Sequence, residues 1–170
     1  MKQNLLVFIG LFLLVVVSRN VTHLWNLTMV GGAFLMAGAY FQDKKIAVLL
    51  VLSSMLASDY LLGFHNQMLA VYGAYLVVLA LGFTLHIKSA LLRVFGTALS
   101  GSLLFFFITN FAVWFEGRLY PQSWAGLLTC YEMALPFFRH QLLGDLVSSV
   151  ALFALARHAP EALLAQKVRK

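Results

Sequence analysis

The chain has 170 residues, of which 62% are hydrophobic and only 11% are charged. Soluble globular domains are about half apolar and about a quarter charged, so this composition argues against a water-soluble protein and indicates an integral membrane protein. The net charge of +6 comes from basic residues scattered over loops and the C-terminal tail rather than along one stripe. No nucleic-acid partner is therefore expected, and the lipid bilayer is the expected environment.

Six apolar segments have lengths suited to crossing the hydrocarbon core of a bilayer, which is about 30 Å thick. In chain order they are approximately 3–18, 24–41, 46–64, 68–87, 91–115 and 142–156. Lys2 precedes the first segment as in a signal peptide, but residues 18–20 (Ser-Arg-Asn) offer no small-x-small cleavage site, so a retained helix is expected. No linker divides the segments. We predict an all-α bundle of six transmembrane helices in a single domain, 1–170.

A further apolar stretch, 124–138, is interrupted by Glu132 and Pro136. With six spans and a cytoplasmic N-terminus, nine basic residues fall on the inner side and three on the outer side. This distribution agrees with the excess of Lys and Arg found in cytoplasmic loops, whereas a seventh span would divide the residues six to six. We therefore predict an interfacial or partly re-entrant helix on the outer face. Both termini are expected in the cytoplasm, and the protein in the bacterial inner membrane.

Polar and aromatic side chains gather at the outer end of the predicted bundle. Ionisable groups inside a span are costly and find partners in the bundle interior, and the candidate counter-ions for Asp59 are Arg19, Arg118 and Arg139. A structural ion pair at Asp59 and a helix cap at Asp145 are the alternatives. All three tryptophans fall on the outer side, which favours a stacking pocket over an aromatic belt at both interfaces. A cup for a small solute is expected, not a channel.

Cys130 is the only cysteine, so an internal disulfide is excluded. His23, His65, Cys130 and His140 fall on three loops without the close-spaced ligand pair of zinc sites, and neither a metal nor a cofactor is expected. An enzyme is not expected either. Two alternatives stay open: an intramembrane enzyme built on Cys130, His140 and Asp145 or Asp59, and a structural or assembly subunit without a cup.

Several segments of the chain are distinctive. They are GGAFLMAGAYF (31–41), SDYLLGFH (58–65), FFFITNFAVW (105–114), Tyr120-Pro121, GLLTCY (126–131), Pro136–Phe138 and Gly144-Asp145. Together they resemble an uncharacterised bacterial family that is itself similar to the substrate-binding S components of energy-coupling factor (ECF) vitamin transporters. The resemblance covers about 27–153. It implies a six-helix protein that binds a vitamin or similar micronutrient in an outward cup and docks on a transmembrane coupling subunit with two ATPases.

The resemblance also implies ligand-facing positions on the outer loops and helix ends. These are Trp25, Asn26, Asp59, His65, Asn110, Trp114, Tyr120 and Tyr131. A solitary cobalamin-transporting relative of S components ligates cobalt through a cysteine, which makes Cys130 a candidate cobalt ligand and such a transporter an alternative function.

Docking is the second property that the resemblance implies. S components commonly dock through an alanine-x-x-x-alanine motif on the first helix, whereas Gly10 is the only small residue between positions 5 and 17 here. Small residues four apart lie instead on the second and fifth spans, as Ala33 with Ala37 and Gly96 with Ser100. They predict either packing within the bundle or docking on a partner subunit.

Overall fold

Helices dominate a computed structural model of the chain, which describes residues 2–21 and 27–159. Within those ranges there are six helices and no strands. In chain order they are α1 (Lys2–Val21), α2 (Val30–Tyr40), α3 (Lys44–Leu62), α4 (Met68–Gly82), α5 (Leu91–Phe115) and α6 (Trp124–His158). The prediction of an all-α protein is confirmed.

Three of the helices, α1, α3 and α5, are long and apolar enough to cross a membrane. The apolar helices α2 and α4 have only 11 and 15 residues. At about 1.5 Å per residue they reach about 16 and 22 Å, less than the about 30 Å of a hydrocarbon core. Both are shorter than the predicted spans 24–41 and 68–87, because turns occupy 83–84 and 87–88 and the start of the second span falls outside the described residues.

The prediction of two separate helices, an interfacial helix at 124–138 and a span at 142–156, is wrong. Both stretches belong to α6, which runs without interruption for 35 residues and contains Pro136. A proline removes one helical hydrogen bond, but contacts with neighbouring helices can compensate for that loss. Here the ring of Phe106 on α5 packs against Tyr131 and Phe138 on either side of the proline, with centroid distances of 5.5 and 4.5 Å.

Helix α2 lies at the centre of the bundle and contacts each of the other five helices. Ten of its eleven residues are buried. Glycines allow this close packing: a β-carbon at Gly32 would lie 2.6 Å from the backbone nitrogen of Ser149 on α6, and one at Gly38 would lie 2.6 Å from the backbone oxygen of Leu79 on α4. Backbone-to-backbone contact of this kind is what small residues permit in membrane bundles.

The predicted docking residues separate into two groups. Ala33 and Ala37 are completely buried in α2, so they pack against helices of this chain and a partner subunit has no access to them. Their spacing reflects packing within the bundle, the alternative that the sequence left open. Gly96 and Ser100 lie exposed on α5, and a β-carbon at Gly96 would meet nothing within 4 Å.

A short connection between α3 and α4 turns the chain at one end of the bundle. Gly63 follows α3 with a φ of 99°, a backbone conformation that glycine adopts at little cost, and its N–H donates to the carbonyl of Asp59 at 2.8 Å. His65 and Gln67 come directly after this turn. The turn therefore brings two polar side chains next to the last turn of α3.

Candidate ligand-binding site

A partly open cavity of about 250 Å³ lies at one end of the bundle. α1, α3 and α5 end on this side, and α2 and α4 begin there, so residues far apart in the sequence meet around it. The residues that line it are Arg19, Thr28, His65, Gln67, Val71, Tyr75, Phe105, Thr109, Asn110, Val113 and Gln141. Most of them carry hydrogen-bonding side chains, so the cavity is a polar site within an otherwise apolar bundle.

A guanidinium group in the cavity wall is held by a buried carboxylate. Nη2 of Arg19 lies 2.7 Å from Oδ1 of Asp59, whose side chain is only 1% exposed. The hydroxyl of Tyr72 donates to Oδ2 of Asp59 at 2.6 Å, and Nε2 of His65 lies 3.9 Å from the same oxygen. Nη1 of Arg19 also donates to the sulfur of Met55 at 3.4 Å. A buried charge needs a partner of this kind, so Asp59 neutralises Arg19 and fixes its position in the wall.

Asp145 forms a second buried network directly behind the cavity. Its Oδ1 accepts from the backbone N–H of Gly31 at 3.1 Å, and its Oδ2 accepts from the hydroxyl of Ser102 at 2.7 Å and from Nε2 of Gln141 at 3.4 Å. Asp145 does not cap its own helix, because α6 begins at Trp124, far from this residue, but its carboxylate accepts from the first turn of α2 at Gly31. Since Gln141 also lines the cavity, its amide connects the cavity wall to Asp145.

Ser102 is expected to stabilise this network measurably. Ser102→Ala removes the shortest hydrogen bond to Asp145 and leaves a buried oxygen with a weaker partner, so we expect a loss of about 1–3 kcal/mol in the free energy of unfolding. Ser100→Ala is the matched control, because Ser100 is exposed on the same helix and its hydroxyl bonds to the carbonyl of Gly96 within that helix. The control should change stability by less than about 0.5 kcal/mol. Unfolding by SDS in mixed micelles measures the stability of both variants. Equal losses of stability would contradict a stabilising role for the hydrogen bond between Ser102 and Asp145.

The structure brings three of the predicted ligand-facing residues together. His65 and Asn110 line the cavity, and Asp59 lies just behind it through its contact with Arg19. The amide nitrogen of Asn110 donates to the carbonyl of Phe106 at 2.8 Å, which fixes the orientation of this side chain on α5. Trp25 and Asn26, also predicted to face the ligand, lie outside the described residues.

The other predicted ligand-facing residues lie at the end of α5, in the α5–α6 connection and on α6, and none of them lines the cavity. Nε1 of Trp114 donates to the carbonyl of Pro121 at 3.0 Å, and the hydroxyl of Tyr131 donates to the carbonyl of Phe107 at 2.9 Å. Tyr120 lies half-buried just before Pro121. Trp114 and Tyr131 thus tie this connection and α6 to α5.

Cys130 and His140, the candidate metal ligand and candidate catalytic residues, each bond to a different backbone carbonyl. Cys130 is 2% exposed, and its thiol donates to the backbone carbonyl of Asn110 at 3.4 Å. A ring nitrogen of His140 lies 3.1 Å from the carbonyl of Pro136. Over residues 2–21 and 27–159, no group of three or more His, Cys, Asp or Glu side chains is arranged to hold a metal ion. The cysteine is not among the residues that line the cavity.

Sequence reasoning did not predict several residues of the cavity wall. The rings of Tyr75 and Phe105 lie 4.4 Å apart between centroids, and Gln67 and Thr109 add polar groups beside them. Gln141 could have been predicted from the sequence, because it precedes Asp145 by four residues and side chains at that spacing share one face of a helix.

A sequence profile of one protein family, described as a family of unknown function (DUF6580), matches residues 1–166. No curated protein and no solved structure shows significant similarity to the chain.

Proposed function

The chain belongs to the DUF6580 family, whose function is unknown, and we propose that it is the substrate-binding membrane subunit of an uptake system for a vitamin or similar micronutrient. The observation that carries this proposal is the cavity of about 250 Å³ with a mostly polar wall at one end of an apolar bundle. Polar groups inside a membrane bundle are costly and commonly mark a solute pathway or binding site. Ligand pockets for drug-sized molecules measure about 300–1,000 Å³, so this cavity suits a smaller solute.

The chemistry of the wall favours a solute that is polar and bears a ring. Asp59 balances the charge of Arg19, so the guanidinium offers N–H donors without a large excess charge. The amides of Gln67, Asn110 and Gln141 supply both donors and acceptors, and aromatic faces accept a planar ring by stacking. A heterocyclic solute of nucleobase-like size combines these requirements.

The proposed topology has six membrane passages, an outward-facing cavity and both termini in the cytoplasm of the bacterial inner membrane. The distribution of basic residues supports this topology, because an excess of Lys and Arg marks the cytoplasmic side of a membrane protein. At the end of the bundle opposite the cavity lie Lys44, Lys45, Lys88, Arg93 and Arg157. In this arrangement α6, at about 52 Å by helical rise, crosses the bilayer and continues beyond it on the outer side.

Release of the solute into the cell then requires movement of the protein, because the cavity lies at one end of the bundle. The resemblance to S components suggests a transmembrane coupling subunit with two ATPases as the partner that drives this movement. Gly96 and Ser100 are the predicted docking residues that such a partner can reach, since both are exposed on α5.

A ligand panel tests the proposed function. The purified protein should be thermally stabilised by at least one compound in a panel of vitamins and nucleobase-like molecules, because a ligand at 100 times its Kd adds about 2.7 kcal/mol. Asn110→Leu removes a polar group of the cavity wall and should abolish this stabilisation. Trp114→Phe, outside the wall, should retain it.

Two outcomes of this experiment would contradict the proposal. If no compound stabilises the wild-type protein and native mass spectrometry finds no bound small molecule, the protein does not function as a solute binder. If Trp114→Phe loses the response and Asn110→Leu retains it, the solute binds beside the aromatic residues at the end of α5 instead of in the cavity.

A further inference from the structure

The connection between α4 and α5, residues 83–90, gathers basic side chains from three helices at the end of the bundle opposite the cavity. Nζ of Lys44 on α3 lies 5.1 Å from the centre of the Phe83 ring. Nη2 of Arg93 on α5 donates to the carbonyl of Thr84 at 2.8 Å. Nη2 of Arg157 on α6 donates to the carbonyl of Ser89. Lys88 is exposed within the connection itself. We call Lys44, Lys88, Arg93 and Arg157 the basic patch.

The basic patch lacks acidic partners within the described residues. Both ion pairs found among residues 2–21 and 27–159 involve Asp59, which lies at the other end of the bundle. Asp43, which precedes Lys44 in the sequence, accepts from the backbone N–H of Lys45 and so caps α3. Among residues 2–21 and 27–159, the two arginines of the patch bond to neutral carbonyls, which do not balance their charges.

Two further features of the patch favour an anion. Nε of Arg157 is buried and has no hydrogen-bond partner among residues 2–21 and 27–159, so this guanidinium keeps an unused N–H donor. Helix α5 begins beside the patch without a side-chain cap on its N-terminal N–H groups. Uncapped N–H groups and the helix dipole favour negative charge at this position. Guanidinium groups match phosphate oxygens particularly well, because they present several N–H donors in one plane.

We propose that the basic patch binds the phosphate of an anionic phospholipid headgroup. Exposed apolar surface lies on the same helix turn as Arg93, since Leu92 precedes it on α5 with 83% of its surface exposed. An acyl chain can cover this leucine while the phosphate contacts the arginines. Basic pockets between helices on the cytoplasmic side are a recurring way to hold anionic lipids. The surface is therefore suited to a lipid, with charge and apolar area side by side.

Thermal stability in defined lipid tests this assignment on the full-length protein. Phosphatidylglycerol added to the detergent-purified protein should raise Tm by several degrees more than phosphatidylcholine with the same acyl chains. Inorganic phosphate at the same concentration should have little effect, because it lacks the acyl chains. The double variant Arg93→Gln/Arg157→Gln should lose the preference for phosphatidylglycerol. The matched control Arg118→Gln/Arg139→Gln, exposed near the opposite end, should retain it.

Lys88→Gln provides a second variant in case the double variant folds poorly. Its side chain is exposed and the substitution should weaken the lipid preference without changing Tm in phosphatidylcholine. Equal stabilisation of the wild-type protein by both lipids would overturn the proposal and leave the patch as a topology signal or a contact for an acidic protein. Stabilisation by inorganic phosphate equal to that by phosphatidylglycerol would overturn the lipid assignment. Retention of the lipid preference in folded Arg93→Gln/Arg157→Gln would overturn the role of these arginines.

Discussion

Asp59→Ala is expected to reduce the free energy of unfolding by about 3–5 kcal/mol, since it leaves a largely buried arginine without its counter-ion. The side chain of Arg19 is only 14% exposed, so water compensates little of the lost interaction. The substitution also removes the acceptor for the hydroxyl of Tyr72. Unfolding by SDS in mixed micelles gives the change in stability. A loss of less than about 1 kcal/mol would show that the pair behaves as an exposed salt bridge does.

A double substitution separates the structural role of this pair from its role in binding. Replacing both partners of a buried ion pair with apolar residues of similar size is often neutral for stability. We therefore expect Arg19→Met/Asp59→Leu to regain most of the stability that Asp59→Ala loses. The double variant should still fail to bind solute, because the guanidinium that lines the cavity is absent. Recovery of both properties would mean that Arg19 contributes only to stability.

The counter-ion of Asp59 shows what the sequence determines and what it leaves open. Hydropathy places Asp59 inside a span, and the cost of a bare charge there demands a partner. Three arginines satisfy that demand equally well in the sequence. The structure selects Arg19 because the end of α1 packs beside α3, whereas Arg118 and Arg139 are exposed. The need for a partner follows from composition, but its identity follows from helix packing.

The boundaries of α6 could not be read from the sequence for a related reason. A helix end near position 138 is what the local sequence predicts, because it contains Glu132, Pro136 and a cluster of polar residues after 138. The helix continues because Phe106 packs on both sides of the proline, and this contact joins residues about thirty positions apart. The resemblance to S components implied His65 and Asn110, and both are polar residues near the ends of spans. Thr28 and Gln67 lie in polar connections, where such residues are ordinary.

Gly38→Ala is expected to destabilise the bundle by about 1–3 kcal/mol or more, because the added methyl group meets backbone on the neighbouring helix. A β-carbon there would lie 2.6 Å from the backbone oxygen of Leu79 and 2.7 Å from Cα of Gly82, and neither atom can turn aside as a side chain would. α2 and α4 must therefore separate. Because α2 contacts every other helix, the separation disturbs the centre of the bundle.

Gly73→Ala on α4 is the matched control, since a β-carbon there would meet nothing within 4 Å. It should leave stability unchanged or raise it by up to about 1 kcal/mol, because alanine is the better helix former. The same SDS titration measures both variants. If Gly38→Ala is as stable as Gly73→Ala, α2 and α4 do not pack with their backbones in contact at Gly38. If only Gly38→Ala is destabilised, the small residues of 31–39 serve packing within this chain. Gly96 and Ser100, on the exposed face of α5, then remain as the candidate docking residues.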